Sequence, residues 1–147
     1  MTEEQIDNLE AGRELDALIA EKVFGWKCYK TKNPFDAFDK ELYMMVNKGV
    51  EKGLAEVEEL KRYSTDISAA FEVVEKMQKE EFWFCFHGPG KWTNGTHYHE
   101  QDEWRCGIQK GAIEEAALID VEASSFAKTL PLAICKTALK AKVLIDE

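Results

Sequence analysis

The stretch Thr129-Leu-Pro-Leu-Ala-Ile-Cys-Lys-Thr-Ala-Leu-Lys-Ala141 decides the fold, because it encodes a helix that is apolar enough to be the central buried element. Thr129 stands where a helix needs an N-cap residue to accept hydrogen bonds from its unpaired backbone N–H groups. Pro131 fits the first helical turn, where its missing N–H costs nothing. The sequence therefore predicts a buried helix that begins at Thr129.

A second stretch has the same design: Tyr63-Ser-Thr-Asp-Ile-Ser-Ala-Ala-Phe-Glu-Val-Val-Glu-Lys-Met77. It too begins with residues whose side chains can cap a helix. Apolar residues then recur at a spacing of three and four, which predicts that one side of the helix packs in the core. That side consists of Ile67, Ala70, Phe71, Val74 and Met77.

The sequence before these two stretches predicts a helix at its start. Apolar residues at helical spacing predict one amphipathic helix over residues 2–24, which Gly25 ends as a C-terminal cap. Residues 26–32 fit either a strand or a packed loop, and the pattern does not decide between them.

A further amphipathic helix is predicted over residues 33–62, because apolar residues continue there at helical spacing. Asn33 followed by a proline is a typical helix start. Gly49 and Gly53 weaken the middle of the segment, so a break or kink is expected between residues 47 and 53.

Between the two capped helices the sequence favours strands. Residues 81–87 are rich in aromatic strand formers and apolar on both sides, which predicts a strand covered on both faces. A long polar loop over 88–102 precedes an alternating strand at 103–109. A third strand fits 116–122 and is followed by a connection through Ser124 and Ser125 to the last helix. The order of helices, strands and a final helix predicts an α+β fold, with helices packed on a small, mainly antiparallel sheet of about three to four strands.

Composition limits the possible classes of protein. A chain of 147 residues with 45% hydrophobic content predicts one domain over residues 1–147, with residues 33–62 as an inserted helical segment. The formal net charge of −9 argues against direct binding to nucleic acid, but it is compatible with binding to basic protein surfaces. No apolar run reaches the length of a membrane span, and the acidic start Met1-Thr-Glu-Glu-Gln is unlike a signal peptide.

The four cysteines contain no C-x-x-C pair, so the sequence predicts neither a disulfide framework nor a zinc finger. We expect a cytoplasmic protein. No pattern in the chain predicts a cofactor.

Three motifs together resemble the phage ABA sandwich domain family. They are Leu15-Asp-Ala-Leu-Ile-Ala-Glu-Lys-Val-Phe-Gly-Trp26, then Tyr63-Ser-Thr-Asp-Ile-Ser-Ala-Ala-Phe71 with its Val-Val-Glu75, then Pro131-Leu-Ala-Ile-Cys-Lys-Thr-Ala-Leu139. The resemblance implies an α/β sandwich and an origin in bacteriophage or prophage genomes, so the expected location is the cytoplasm of the infected host. It implies no catalytic residues.

The chain departs from the family pattern at several positions. Lys136 stands where the family commonly has Arg, and Phe71 stands where it often has Trp. If Lys136 faces a ligand, its ammonium group replaces the planar guanidinium of arginine, and bidentate hydrogen bonding to the ligand is lost. The segment between Trp26 and Tyr63 is long for the family, as is the loop at 88–102.

The three histidines suggest a metal site only weakly. His97 and His99 form an H-x-H pair near His87, and such a pair can bind zinc or nickel from one strand face. Without a second spaced pair, ordinary histidines in a polar loop are the expected interpretation, and we predict no metal.

Residues at the two helix starts are candidate anion ligands. Ser64, Thr65 and Thr129 lie where unpaired N–H groups and the helix dipole favour negative charge. Capping alone also explains them, and the carboxylate of Asp66 would compete with an anion at the first start.

Aromatic residues supply the other candidates. Core packing is the expected role of the phenylalanines in 82–86, whereas a nucleotide would stack on Trp92, Tyr98 and Trp104 and pair with Arg105.

The sequence gives little support to catalysis. There is no Gly-rich phosphate loop, no H-E-x-x-H and no G-x-S-x-G motif. Cys85 and His87 would share one face of a strand and could form a thiolate pair, but a buried structural cysteine is the commoner case.

These observations favour a non-enzymatic phage accessory protein that antagonises host defence by sequestering a nucleotide-like immune signal. The alternative is an acidic inhibitor of a host defence protein, either anti-CRISPR-like or a nucleic-acid mimic. A structural or regulatory phage protein is a third possibility. We also predict a homo-oligomer, because the predicted extra helix and doubly apolar strands supply more hydrophobic surface than one small sheet covers.

Overall fold

The computed structural model describes residues 1–32, 41–47, 56–93, 98–111 and 119–146. The elements in chain order are α1 (Glu3–Asp7), α2 (Arg13–Lys22), β1 (Lys27–Lys32), β2 (Glu41–Asn47), β3 (Glu56–Glu59), α3 (Ile67–Lys79), β4 (Phe82–His87), β5 (Gly90–Thr93), β6 (Tyr98–Gln101), β7 (Trp104–Gly111), β8 (Ile119–Ala127) and α4 (Leu130–Asp146).

The described strands form two three-stranded sheets, β1-β2-β3 and β4-β7-β8, and a two-stranded hairpin, β5-β6. Every pairing is antiparallel. Helix α2 packs on β1 and β2, while α3 and α4 pack on the second sheet. Because α2 also packs against α4, these two helices lie between the two sheets. The predicted α+β class and sandwich arrangement are confirmed, but the strands divide between two sheets because residues 27–59 form a sheet of their own.

Helix α4 is the centre of this arrangement, as predicted. It contacts α1, α2, α3, β7 and β8, and its side chains are buried nearly all round from Pro131 to Ala141. A helix that is apolar on every side is stable only when other elements cover every side.

The predicted helix over residues 2–24 is instead two helices, α1 and α2, and this is a correction. The chain leaves the helix before Gly12, whose N–H donates to the Ser64 hydroxyl at 3.0 Å. The acceptor lies in a turn 52 residues further along the chain, so the spacing of apolar residues near Gly12 could not predict this bond. Gly25 has a φ of 75°, a conformation that favours glycine, and the predicted helix end near it is confirmed.

The predicted helix over residues 33–62 is wrong wherever the structure describes it. Residues 41–47 form β2 and residues 56–59 form β3. The apolar run in β2 satisfies both the helical and the strand pattern, and pairing with β1 favours the strand. The predicted start at Asn33 and the glycines at 49 and 53 lie outside the described residues. Residues 26–32, left open above, contain strand β1.

Helix α3 is confirmed, but its packed side differs from the prediction. Asp66 is the N-cap, and its carboxylate accepts from Ser68 N at 2.9 Å. Ile67 and Phe71 are each 41% exposed. The buried stripe consists instead of Ala69, Ala70, Val73, Val74 and Met77.

Strand β4 is confirmed too, but the prediction that both of its faces are covered is wrong. Exposure alternates along it, with Phe82 buried and Trp83 59% exposed. The helices cover only the inner face of the second sheet. The expected loop at 88–102 contains β5 and β6, and β8 extends to Ala127 through serines that were expected to form a connection.

Across the described residues, no helix combines the length and the apolar character that a membrane crossing requires.

Candidate binding site

The second sheet has an outer face that points away from the helices. Strand register places its residues in three rows across β4, β7 and β8. The rows are Trp83, Gln109 and Glu122; Cys85, Gly107 and Ser124; and His87, Arg105 and Phe126. We call these nine residues the outer face.

Two aromatic side chains stand at opposite corners of the outer face. Trp83 is 59% exposed and Phe126 is 51% exposed. With strands about 4.8 Å apart and a rise of about 3.3 Å per residue, their Cα atoms are separated by roughly 16 Å. Exposed aromatic rings on a sheet are typical of surfaces that bind another molecule.

Glycine occupies the central position of the outer face. A Cβ atom added to Gly107 would lie 2.8 Å from Cys85 Sγ. The thiol therefore rests directly on the Gly107 backbone. The Cys85 side chain thus covers the centre of the outer face, between the two aromatic corners.

Arg105 supplies positive charge at one end of the outer face. It is partly buried and lies between His87 and Phe126 in the strand register. Its guanidinium presents a planar set of donors suited to phosphate or carboxylate.

The start of α4 lies at the same end of the sheet. Ala127, paired with Trp104, precedes the helix by a short connection that contains Thr129. Thr129 is exposed, and its carbonyl accepts from Ala133 N at 3.1 Å, so the helix begins where the sequence predicted. The first turn of α4 has no acidic residue to offset its positive dipole end.

The hairpin β5-β6 extends from this end as well. Gln101 donates to the carbonyl oxygens of His87 at 3.0 Å and Gly88 at 2.9 Å, which anchors the hairpin beside the His87 row. Within the hairpin, Trp92 is opposite His99 and Tyr98 is opposite Thr93. The backbone thus brings Trp92 and Tyr98 to the same end of the sheet as Arg105.

Trp104 belongs to this end but not to the outer face. It alternates with Arg105 and is partly buried on the inner side. A Cβ atom at Gly88 would lie 3.3 Å from its ring, so the indole packs beneath the base of the hairpin. Its role in the structure is to support the hairpin.

The remaining predicted ligands lie elsewhere. Ser64 is fully buried and donates to Asp16 Oδ1 at 2.7 Å, so its hydroxyl is used inside the fold. Lys136 is 7% exposed and donates to Asp7 O at 2.7 Å. Thr65 is exposed, in the turn before α3. The structure does not bring these three residues to Arg105.

Sequence reasoning missed Trp83 and Phe126. Trp83 was assigned to a strand covered on both faces, and Phe126 to a connection. Period-two alternation around the serines of β8 was the only pattern that could have placed Phe126 on a strand face.

The four thiols differ in burial: Cys106 and Cys135 are buried, Cys28 is partly buried and Cys85 is exposed. Burial raises the pKa of the Cys106 thiol to about 12 and that of Cys135 well above its ordinary value. Cys85 is exposed, and all four cysteines are free. Among the described side chains, no group of three potential metal ligands converges, and His97 lies outside the described residues.

Fold and site together define an α+β sandwich protein with an open, aromatic and locally basic sheet face. The chain belongs to the phage ABA sandwich domain family, whose model matches residues 17–139. The match includes all or part of the three motifs quoted above and confirms the resemblance. No curated protein and no solved structure matches the chain.

Proposed function

We propose that this phage protein acts by binding alone, and that it blunts a host antiviral defence by sequestering a nucleotide-like signal molecule in the cytoplasm of the infected bacterium. Membership of a phage family supports the setting. The observation that carries the binding role is the exposed ring of Phe126 beside Arg105 on the open outer face.

The two side chains match the two parts of such a ligand. The Phe126 ring offers an apolar surface on which a base can stack. Arg105, one strand away, offers paired donors to a phosphate.

The hairpin carries two further aromatic candidates for stacking on a base. Trp92 and Tyr98 lie on adjacent strands that extend from the Arg105 end of the sheet.

The proposed role needs no bond to be made or broken. No metal or cofactor enters the proposal.

Native mass spectrometry of the full chain tests the function. The protein would be measured alone and then with a panel of cyclic nucleotides and cyclic ADP-ribose isomers. A stoichiometric mass shift with one class is expected, followed by titration calorimetry to obtain Kd. No shift across the whole panel would refute the sequestration role.

Variants then locate the site. Phe126→Ala removes a base stack worth about 1–3 kcal/mol, so Kd should rise roughly 5- to 150-fold. Arg105→Lys keeps the charge but loses the planar fork, and it should weaken binding less than Arg105→Ala. Val57→Ala is the matched control, since Val57 is 52% exposed on β3 of the other sheet. A Val57 effect equal to that of Phe126 would place the ligand elsewhere.

One further observation favours the alternative of an acidic inhibitor of a host protein. Strand β3 is an edge strand whose four residues are all exposed, and three of them are glutamates at 56, 58 and 59. Such an edge suits a basic partner surface. Capture of a host protein that weakens steeply between about 50 and 300 mM salt would support this alternative, because exposed charges are screened over about 10 Å at 0.1 M salt.

A further inference from the structure

Strand β4 differs from every other described edge strand of the two three-stranded sheets. Edge strands expose unpaired N–H and C=O groups, and proteins commonly protect them with charged side chains. The other three edge strands carry such charges. They are Lys27, Lys30 and Lys32 in β1, Glu56, Glu58 and Glu59 in β3, and Asp120 and Glu122 in β8. Strand β4 contains no Asp, Glu, Lys or Arg.

Apolar side chains flank the β4 edge on both faces of the sheet. On the outer face, Trp83 is 59% exposed. On the inner face, the Phe86 ring centroid lies 6.0 Å from that of Phe84 and 6.1 Å from that of Phe71. Phe71 and Ile67 are themselves 41% exposed. The apolar surface therefore continues around the edge from one face to the other.

Helix α3 adds to this surface rather than covering it. It packs over β4, while α4 packs over β7 and β8. Ile67 and Phe71 border the buried stripe of α3 on the side of β4, because Phe71 contacts Phe86. Strand and helix each extend about 20 Å, given their six and thirteen residues.

We propose that a second copy of this chain pairs with this surface, with the two β4 strands antiparallel about a two-fold axis. The surface comprises β4 and the flanking residues Ile67 and Phe71. An antiparallel copy is self-complementary here. A register centred on Phe84 places Phe82 opposite the partner's Phe86 and Trp83 opposite the partner's Cys85, so apolar side chains meet on both faces.

The absence of charged residues from the β4 edge favours a second copy of the chain over other partners. Each chain has a net charge of −9, so two copies repel each other across most of their surfaces. The uncharged β4 edge lets the two backbones approach without like charges in direct contact. The same edge offers no ion pair to a basic or acidic host protein. A neutral aromatic strand is best matched by an identical strand.

The resulting dimer has one continuous six-stranded sheet, in the order β8-β7-β4 and then β4-β7-β8 of the partner. Its two outer faces join into a single surface with both Trp83 side chains near the axis. This inference does not rest on the proposed ligand, and its test uses the protein without any nucleotide.

Sedimentation velocity of the full chain from 1 to 100 µM tests the proposal. We expect a reversible dimer. Trp83→Lys and Phe71→Lys each bring like charges from the two copies together near the axis. Each variant should raise the dissociation constant of the dimer at least tenfold. Val57→Lys is the control, because it changes an equally exposed apolar residue on a different edge strand and should leave the dimer unchanged. Circular dichroism verifies that each variant is folded.

Amide hydrogen exchange of the unmodified protein gives a second test that needs no variant. Exchange of β4 amides should slow as the dimer forms, while exchange of β3 amides should not change. A monomer at 100 µM would overturn the proposal. So would a dimer that both lysine variants leave intact, or one that leaves β4 exchange unprotected.

Discussion

The buried carboxylate of Asp16 should be the most costly single polar side chain to remove from this protein. It is 1% exposed. Its oxygens accept from Ser64 N at 2.8 Å, from Ser64 Oγ at 2.7 Å and from Arg13 Nη1 at 3.2 Å. These bonds hold the start of α2 to the turn before α3.

Asp16→Ala leaves these donors without their acceptor. Breaking a buried charged pair by removing one partner costs about 3–5 kcal/mol. We expect the lower end of this range, because Arg13 keeps its bond to Leu60 O at 2.6 Å and the Ser64 hydroxyl can turn to Gly12 O at 3.3 Å. For a domain of this size, 3 kcal/mol corresponds to a fall in Tm of roughly 6–12 °C.

Urea unfolding followed by circular dichroism measures this loss, with Glu72→Ala as the control. Glu72 also forms an ion pair, at 3.0 Å from Lys61, but both side chains are more than 40% exposed. Such surface pairs contribute about 0–1 kcal/mol. The reasoning is refuted if the two variants differ by less than 1 kcal/mol in the free energy of unfolding.

Three further predictions concern the core and the outer face. Burial raises the pKa of the Cys106 thiol to about 12, so the stability that this thiol contributes is fully present below pH 9 and is lost as the pH rises from 9 to 12. The free energy of unfolding should therefore fall by up to about 1.4 kcal/mol per pH unit in this window, and Cys106→Ala should lessen that slope. Gly107→Ala should destabilise the protein by about 1–3 kcal/mol, because the new Cβ would lie 2.8 Å from Cys85 Sγ, and a double-mutant cycle should show that Cys85→Ala removes most of that loss. Lys140→Met should lower the free energy of unfolding by about 1–2 kcal/mol, because Lys140 Nζ lies 2.6 Å from Asp7 Oδ1 and only 8% of the lysine side chain is exposed. Thermal unfolding measures this loss, and an unchanged Tm would contradict the prediction.

The parts of the fold that could be predicted are those whose evidence is local in sequence. Helix α4 was predicted because Thr129, Pro131 and the apolar run after them lie within one segment. Helix α3 was predicted for the same reason. In contrast, β2 was mistaken for a helix because Leu42, Met45 and Val46 have helical spacing within a continuous apolar run that also suits a strand, and the pairing that decides between the two comes from β1.

The candidate site shows the same limit. Arg105 was predicted from its place on an alternating strand. Phe126 was not, since it reaches the outer face only because β8 continues past Ser125 and pairs with β7. Ser64 was taken for a ligand because its partner, Asp16, lies 48 residues away in the sequence. The uncovered face of β4 also depends on tertiary packing, which an apolar run alone does not reveal.

The burial of α4 on all sides affects the order in which the fold can form during translation. The ribosome makes the strands of both sheets before it makes Leu130–Asp146. Until that segment emerges, the inner faces of β7 and β8 and the buried sides of α2 and α3 lack the helix that covers them. Nascent chains that end before α4 should therefore expose apolar surface and depend on chaperones, and folding should complete in one late, cooperative step.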